Sequence, residues 1–254
     1  MSAAVQSRSY CLDTHAHSLV SGHAYSTIAE MSAAAAGKGL ELLAVTEHGP
    51  GTRGSCVDYY FQNLRILPRE MNGVRMLFGA EVSILDFAGH LDLDDRTLQQ
   101  LDIVIASVHN ETSFRPGTMA CNTEAVLRAM ENPNVCILGH PDDSRYPLDY
   151  ETILKTAGEK RILPELNNSS LDPRGWRLNA RENCITILRL CRRMGIPISL
   201  GSDAHYAGDV GNFSRLLPLL AETDFPDELI VNTSVEKLLQ WLEARRSAAG
   251  ISAG

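Results

Sequence analysis

The chain has 254 residues, of which 44% are hydrophobic and 21% charged, so it can bury a sizeable core at a length where α/β barrels form one domain. The formal net charge of −8 argues against a nucleic-acid-binding surface but leaves room for a small anionic substrate. The six cysteines form no CxxC pair, and no apolar run approaches the roughly 18 residues of a membrane span, so we expect a cytoplasmic protein without membrane contact.

Seven short apolar runs indicate β-strands. Because they lack polar alternation, they are typical of a parallel sheet that helices cover. The predicted strands are residues 10–13, 42–46, 75–78, 103–107, 135–138, 162–165 and 198–200.

Helical patterns separate most of these strands, as expected for alternating β/α units. The predicted helices cover residues 28–38, 124–131, 149–160, 179–194 and 235–245. Two of them open with the spacing of a capping box, formed by Thr27 with Glu30 and by Thr233 with Glu236. The alternation predicts a barrel of the (β/α)7 type.

Seven of the eight histidines lie in or just after short polar motifs at the strand ends. The motifs are D-T-H-A-H (13–17), T-E-H-G (46–49), S-V-H-N (107–110), G-H-P (139–141) and G-S-D-A-H (201–205). His23 follows the first motif, and Glu81 follows a further strand. Functional groups of parallel α/β folds gather at the carboxyl ends of the strands. Since imidazole and carboxylate are the usual ligands of zinc, iron and manganese, we predict a multinuclear metal site there.

The order of these motifs resembles the PHP (polymerase and histidinol phosphatase) family, and within it the YcdX-like stand-alone metal-dependent phosphatases. The resemblance covers nearly the whole chain and includes A-Y-S-T (24–27), H-G-P (48–50) and E-L-N-N-S-S (165–170). It implies a distorted, TIM-like (β/α)7 barrel. We expect one domain over residues 1–254, with residues 1–9 and 247–254 as flexible tails.

The resemblance also implies nine protein ligands for three divalent ions, zinc in the first instance, with iron or manganese as alternatives. The first ion would be held by His15, His17, Glu81 and Asp203, the second by Glu81, His109 and His140, and the third by His23, His48 and His205. Among them we assign catalytic roles to Glu81, Asp203 and His205. The family usually has aspartate in place of Glu47, which is not an expected ligand. We further expect Gly201 to allow a tight turn before Asp203.

The implied reaction is hydrolysis of a small phosphate monoester by hydroxide that the metal ions supply near neutral pH. A guanidinium could clamp the phosphate by two hydrogen bonds, and the sequence does not choose among the candidates. These are Arg53, Arg65, Arg115, Arg145 and Arg181. The identity of the substrate, the native metal and the oligomeric state also stay open at this point.

Two alternative functions stay open as well. An amidohydrolase-type metal hydrolase also begins with HxH, but it typically bridges its ions through a modified lysine, and here the strand positions carry Glu81 and no lysine. A PHP accessory or proofreading module would act on nucleic acid, as PHP domains attached to DNA polymerases do. The lack of a polymerase portion and of a basic stripe argues against that role.

Overall fold

The computed structural model describes residues 10–248 and residue 250. Its eight strands are β1 (Leu12–Asp13), β2 (Leu42–His48), β3 (Glu70–Met71), β4 (Val74–Ser83), β5 (Ile103–Ser107), β6 (Ile137–Leu138), β7 (Leu163–Asn167) and β8 (Ser199–Gly201). Seven of them are parallel in the order β1-β2-β4-β5-β6-β7-β8, and β3 pairs with β4 in antiparallel orientation. A parallel bridge between Ala16 and Ala204, beyond the ends of β1 and β8, brings the two edges together. The sheet is therefore a nearly closed barrel, which confirms the predicted (β/α)7 fold.

Eight α-helices accompany the strands in the described part of the chain. They are α1 (Ile28–Gly37), α2 (Asp58–Asn63), α3 (Asp95–Leu98), α4 (Met119–Ala129), α5 (Tyr150–Lys160), α6 (Ala180–Met194), α7 (Leu217–Glu222) and α8 (Val235–Ala248). No helix in residues 10–248 is both long and apolar enough to cross a lipid bilayer.

Two hydrophobic clusters hold the barrel together. The larger one contains apolar residues of the helices and of the strand faces that they cover. The smaller one joins β1, β2, β4, β5, β6 and β7 to α8 through buried residues such as Leu238 and Leu242. The side chains of Arg245 and Arg246 in α8 also donate hydrogen bonds to the carbonyls of Val135 and Leu101, just before two strands begin. Thus α8 packs at the amino ends of the strands, and the opposite end remains for the polar motifs.

All seven predicted strands are present, but four of them, β2, β4, β7 and β8, end later than the sequence indicated. β4 continues to Ser83 and β2 to His48, so Glu81 and His48 lie inside strands and not after them. The short elements β3, α2, α3 and α7 were not predicted. The extensions of β2 and β4 contain the candidate ligands His48 and Glu81, which fixes those side chains on a regular backbone.

The capping prediction is right for one helix and wrong for another. Thr27 and Glu30 form the complete capping box of α1. At α8 the hydroxyl of Ser234 accepts a hydrogen bond from the Lys237 amide, whereas Thr233 donates to the Ile230 carbonyl. Thr233 is therefore not the cap, because its side chain bonds backwards to the preceding turn.

The predicted flexible tails lie largely outside the described residues, which exclude residues 1–9, residue 249 and residues 251–254. At the C-terminal end, α8 continues through Ser247 to Ala248, so the helix extends into the segment that we expected to be a tail.

Candidate metal centre

The nine predicted ligands come together at the carboxyl end of the barrel. Two of them, His48 and Glu81, lie within β2 and β4. The other seven lie in the segments that follow β1, β5, β6 and β8, namely His15, His17, His23, His109, His140, Asp203 and His205. The parallel register explains the convergence, because it places His48 of β2 beside Glu81 of β4.

Glu81 lies at the centre of the cluster and is almost completely buried. Its Oε1 is 2.6 Å from Nε2 of His140 and 3.1 Å from Nε2 of His109. Its Oε2 is 2.9 Å from Nδ1 of His48 and 3.3 Å from Nε2 of His15. Nε2 of His17 also lies 3.5 Å from Oε2, so the two carboxylate oxygens face different sets of imidazoles, as those of a bridging ligand would.

Within residues 10–248, three groups of donor atoms are compact enough to hold one ion each, with all atoms of a group within 4.8 Å of one another. They are His15 with His17 and Asp203, His48 with Glu81 and His109, and His17 with His48 and His205. The remaining two candidates adjoin these groups, since His140 contacts Glu81 and Nε2 of His23 lies 2.9 Å from Nε2 of His205. His17 and His48 each belong to two groups, a sharing that the sequence did not indicate.

The donor atoms of the cluster fit divalent metal ions. Nε2 of His15 and Nε2 of His17 face each other at 3.0 Å, and the Nε2 atoms of His23 and His205 do so at 2.9 Å. Nδ1 of His48 is buried and, although it lies near Glu81, forms no hydrogen bond within the described residues. Buried ring nitrogens that lack a proper hydrogen-bond partner are expected where a cation supplies the missing interaction.

Four of the pKa shifts at the centre favour ligand forms, whereas the pKa values of His15 and His109 are raised, because nearby carboxylates outweigh burial. Burial acts to raise the pKa of Glu81, but the imidazoles, His109 first, outweigh it and hold that pKa well below its usual value. Burial likewise acts to raise the pKa of Asp203, and His15 foremost holds it well below the usual value. Burial lowers the pKa of His17 strongly and the pKa of His48 to about 4. At neutral pH the two carboxylates are therefore ionised and these two imidazoles are neutral, which are the forms that bind metals.

Further polar groups contact the imidazole nitrogens that point away from the centre of the cluster. Ser83 Oγ lies 3.0 Å from Nδ1 of His109, and the backbone carbonyl of Asp203 lies 2.9 Å from Nδ1 of His205. Buried Glu165 lies 2.6 Å from Nδ1 of His15. Such contacts fix the tautomer and the orientation of a metal-binding imidazole.

Gly201 has a role other than the predicted one. Its φ angle is not positive, so the tight-turn explanation is wrong. A Cβ atom at this position would lie 2.0 Å from Oε1 of Glu165 and 2.8 Å from Cβ of His15. Glycine is needed because these two side chains pack against the backbone of β8. The left-handed backbone occurs instead at Asp203, with φ 55°, and at His140, with φ 25°, and strain of this kind is typical of functional sites.

A cavity of about 470 Å³ opens onto the cluster and receives two of the five predicted arginines, Arg53 and Arg145. The other three do not line it. Arg115 donates to the carbonyls of Thr112 and Phe114, and Arg181 pairs with Glu222. Arg65 is exposed elsewhere on the surface.

The arginine that reaches the cluster is Arg177, which the sequence analysis did not single out. Its side chain is 18% exposed and also lines the cavity. Its Nη1 donates to Ser170 Oγ at 2.6 Å and to Asn167 Oδ1 at 3.2 Å, and its Nη2 lies 3.4 Å from Asp203 Oδ2. Arg177 stands in a loop without a motif, and only the polar run 165–170, which provides two of its partners, could have pointed to it.

Comparisons with known families and relatives identify the class of protein. The family model described as PHP domain matches residues 13–169, and the one described as PHP-associated matches residues 183–230. A probable phosphatase of Clostridium novyi is 44% identical over 236 residues, which cover 93% of this chain and 96% of that protein. A probable phosphatase of Caldicellulosiruptor saccharolyticus is 43% identical, covering 91% of this chain and 95% of that protein. These matches confirm the predicted class of enzyme, a phosphatase.

The fold also resembles a solved structure. The crystal structure of histidinol phosphate phosphatase from Lactococcus lactis, in complex with zinc, L-histidinol and phosphate, superposes with a TM-score of 0.55 at 19% identity. The alignment covers 96% of this chain and 95% of that chain. At this identity the likeness to the solved structure concerns the fold alone. The two family models, by contrast, match sequence segments that together span most of the barrel. The chain therefore belongs to the PHP family.

Proposed function

We propose that the protein hydrolyses a small phosphate monoester at a trinuclear metal site formed by the nine predicted ligands. The observation that carries this proposal is the arrangement around Glu81, where imidazoles and carboxylates converge in a cavity that also contains the partly buried guanidinium of Arg177. Two of the compact donor groups contain a carboxylate, and the third consists of three imidazoles. This composition suits zinc, iron or manganese.

Zinc is the first candidate, since the histidinol phosphate phosphatase of similar fold contains it. Ions bound by these residues would polarise a phosphoryl oxygen and lower the pKa of bound water towards 7. Glu81 would be shared between ions, because its two oxygens face different imidazoles. His205, whose side chain is partly exposed, would hold an ion on the solvent side of the cluster together with His23.

Arg177 would bind the phosphate group of the substrate. Its guanidinium lines the cavity beside the ligands and is held by Ser170 and Asn167, so it is positioned before substrate arrives. Asp203 connects the two parts of the site, because Oδ1 faces His17 while Oδ2 faces Arg177. A planar guanidinium gives two parallel hydrogen bonds to phosphate and adds the positive charge that an acidic protein needs at this point.

We also propose that the chain forms a single domain. The segment matched by the PHP-associated model provides β8, which pairs with β7 of the preceding segment over three residues. Asp203 and His205 follow β8, so the ligand set is complete only when both segments fold together.

The function is tested by elemental analysis of the purified protein, followed by assays before and after removal of metal. We expect close to three divalent ions per chain and hydrolysis of p-nitrophenyl phosphate that is lost with chelation and restored by zinc or manganese. Glu81→Gln should lose bound metal and turnover together, whereas Glu228→Gln, on the exposed surface, should retain both. Full activity in a metal-free Glu81→Gln protein would refute the proposal, and cleavage of acyl amides in preference to phosphate esters would favour an amidohydrolase.

A further inference from the structure

Glu47 is a buried carboxylate that the proposed mechanism does not use. It lies in β2 directly before His48, and none of its surface is exposed. Four donor groups of the described residues reach it. They are the amide and hydroxyl of Ser18, the hydroxyl of Ser21, and the more distant hydroxyl of Tyr60.

Ser21 connects this carboxylate to two candidate ligands. Its Oγ lies 2.6 Å from Oε2 of Glu47 and 3.2 Å from Nδ1 of His17. The same oxygen accepts the backbone N–H of His48 at 3.0 Å. Ser21 is thus in contact with Glu47, with the ring of His17 and with the backbone of His48.

The direction of these hydrogen bonds follows from the number of protons available. A hydroxyl has one proton to donate and can accept two hydrogen bonds. Burial raises the pKa of Glu47, and the hydrogen bonds from Ser18 and Ser21 act against this. Because all four groups around the carboxylate are donors, Glu47 acts as the acceptor at each contact. The proton of Ser21 must therefore go to Glu47, and both other contacts of Ser21 must donate to it. The backbone amide of His48 is one donor. Nδ1 of His17 has to be the other, which leaves Nε2 of His17 with a free lone pair.

That nitrogen is the one that points into the metal centre. Nε2 of His17 lies 3.0 Å from Nε2 of His15 and 3.3 Å from Asp203 Oδ1. His17 is also one of the two residues shared by two compact donor groups. A proton on Nε2 would remove His17 from both groups at once.

We infer that Glu47 is a positioning residue that acts through Ser21 to keep the proton of His17 on Nδ1 and its Nε2 available to metal. The inference rests on the proposed function, since it takes His17 to be a metal ligand. It assigns a task to the position where the family usually has aspartate. Loss of such an outer contact weakens metal binding about 10- to 100-fold in comparable sites.

Glu47→Met provides the test, because it keeps the length of the side chain but removes the acceptor. The Ser21 hydroxyl then has Nδ1 of His17 as its remaining acceptor, which moves the histidine proton to Nε2. Tyr60→Phe is the matched control, since it removes another donor to the same carboxylate without touching Ser21 or His17. The position of the proton is measured by ¹⁵N NMR of histidine-labelled protein, with zinc and after its removal, and His17→Gln identifies the signal.

In the zinc-free protein we expect the wild type and Tyr60→Phe to carry the proton on Nδ1, and Glu47→Met to carry it on Nε2. Glu47→Met should also bind zinc about 10- to 100-fold more weakly. A proton that stays on Nδ1 in Glu47→Met, or unchanged zinc affinity, would overturn the inference. Since Glu47→Met leaves buried donors unsatisfied and could unfold, Ser21→Ala is the second variant. Ser21→Ala should lose the protected Nδ1 proton signal of His17 and show the same loss of zinc affinity. Retention of both the signal and the affinity would also contradict the inference. If the wild type binds no zinc but the proton of His17 still moves to Nε2 in Glu47→Met, the proposed metal-dependent function is wrong. The hydrogen-bond connection from Glu47 through Ser21 to His17 is then still supported.

Discussion

Oε1 of Glu165 lies 2.6 Å from Nδ1 of His15, and both side chains are completely buried. Oε2 of the same carboxylate accepts the backbone N–H of His140 at 2.9 Å and the amide group of Asn167 at 3.2 Å. Glu165 therefore orients candidate ligands from two separate loops. Burial acts to lower the pKa of His15, but Glu165, followed by Glu81, raises it well above the usual value.

Glu165→Gln should weaken metal binding without removing a ligand. An amide has only one acceptor oxygen, so either His15 or the donors from His140 and Asn167 lose their partner. We expect zinc affinity to fall about 10- to 100-fold, measured by competition with a chromogenic chelator. Glu159→Gln on the exposed face of α5 is the control and should bind zinc like the wild type. Equal affinity in the two variants would show that Glu165 has no orienting role.

Arg177→Ala should impair the binding of phosphate esters. Removing a hydrogen-bonding charge costs about 1.5–3 kcal/mol, so we expect kcat/KM to fall roughly 10- to 100-fold and inhibition by inorganic phosphate to weaken in parallel. Arg177→Lys should not restore binding fully, because lysine lacks the planar fork of donors.

The control for this prediction is Arg174→Ala. Arg174 belongs to the same loop, but its side chain is 85% exposed and pairs with Asp172 on the surface. Steady-state kinetics should find it unchanged. If Arg174→Ala and Arg177→Ala lose the same activity, the effect comes from the loop and not from the guanidinium in the cavity.

The features that the sequence predicted are those that depend on local pattern. Apolar runs such as residues 103–107 identify strands, and the ligand motifs follow from residue type and order along the chain. Because parallel strands end at the same side of the barrel, even ligands as distant in sequence as His23 and His205 could be expected to meet.

The features that were missed depend on tertiary contacts. Arg177 is a site residue because Ser170 and Asn167 hold it over the cavity, and no spacing in its own loop shows this. Gly201 is needed for the packing of Glu165 against β8, which a local turn rule cannot indicate. The sharing of His17 and His48 between donor groups likewise requires distances.

Gly201→Ala and Gly37→Ala should have opposite effects on stability. An alanine at 201 would place Cβ against Oε1 of Glu165 and Cβ of His15, and overpacking of this kind costs about 1–3 kcal/mol. Gly37 ends α1 and has open space around its Cβ position, so alanine there should stabilise by about 0.4–1 kcal/mol. Urea unfolding measures both changes. Gly201→Ala should in addition bind zinc more weakly, and a neutral result at Gly201 would contradict the close packing.

Asp92 should make the stability of the fold depend on pH. Its carboxylate accepts hydrogen bonds from the amides of Ser83 and Gly51, both at 2.9 Å, and burial raises its pKa from 3.8 to about 6. Since the folded protein then binds more protons than the unfolded chain between these two values, the contribution of Asp92 is most favourable below pH 3.8 and is lost as the pH rises to about 6. Asp92→Asn does not titrate at this position. As the pH rises from 3.8 to about 6, the free energy of unfolding of Asp92→Asn should therefore increase relative to that of the wild type. At higher pH the difference between the two proteins should stay constant. Urea unfolding at several pH values measures this difference, and a chelating buffer excludes effects of metal release. Parallel curves of unfolding free energy against pH for the two proteins would contradict the raised pKa of Asp92.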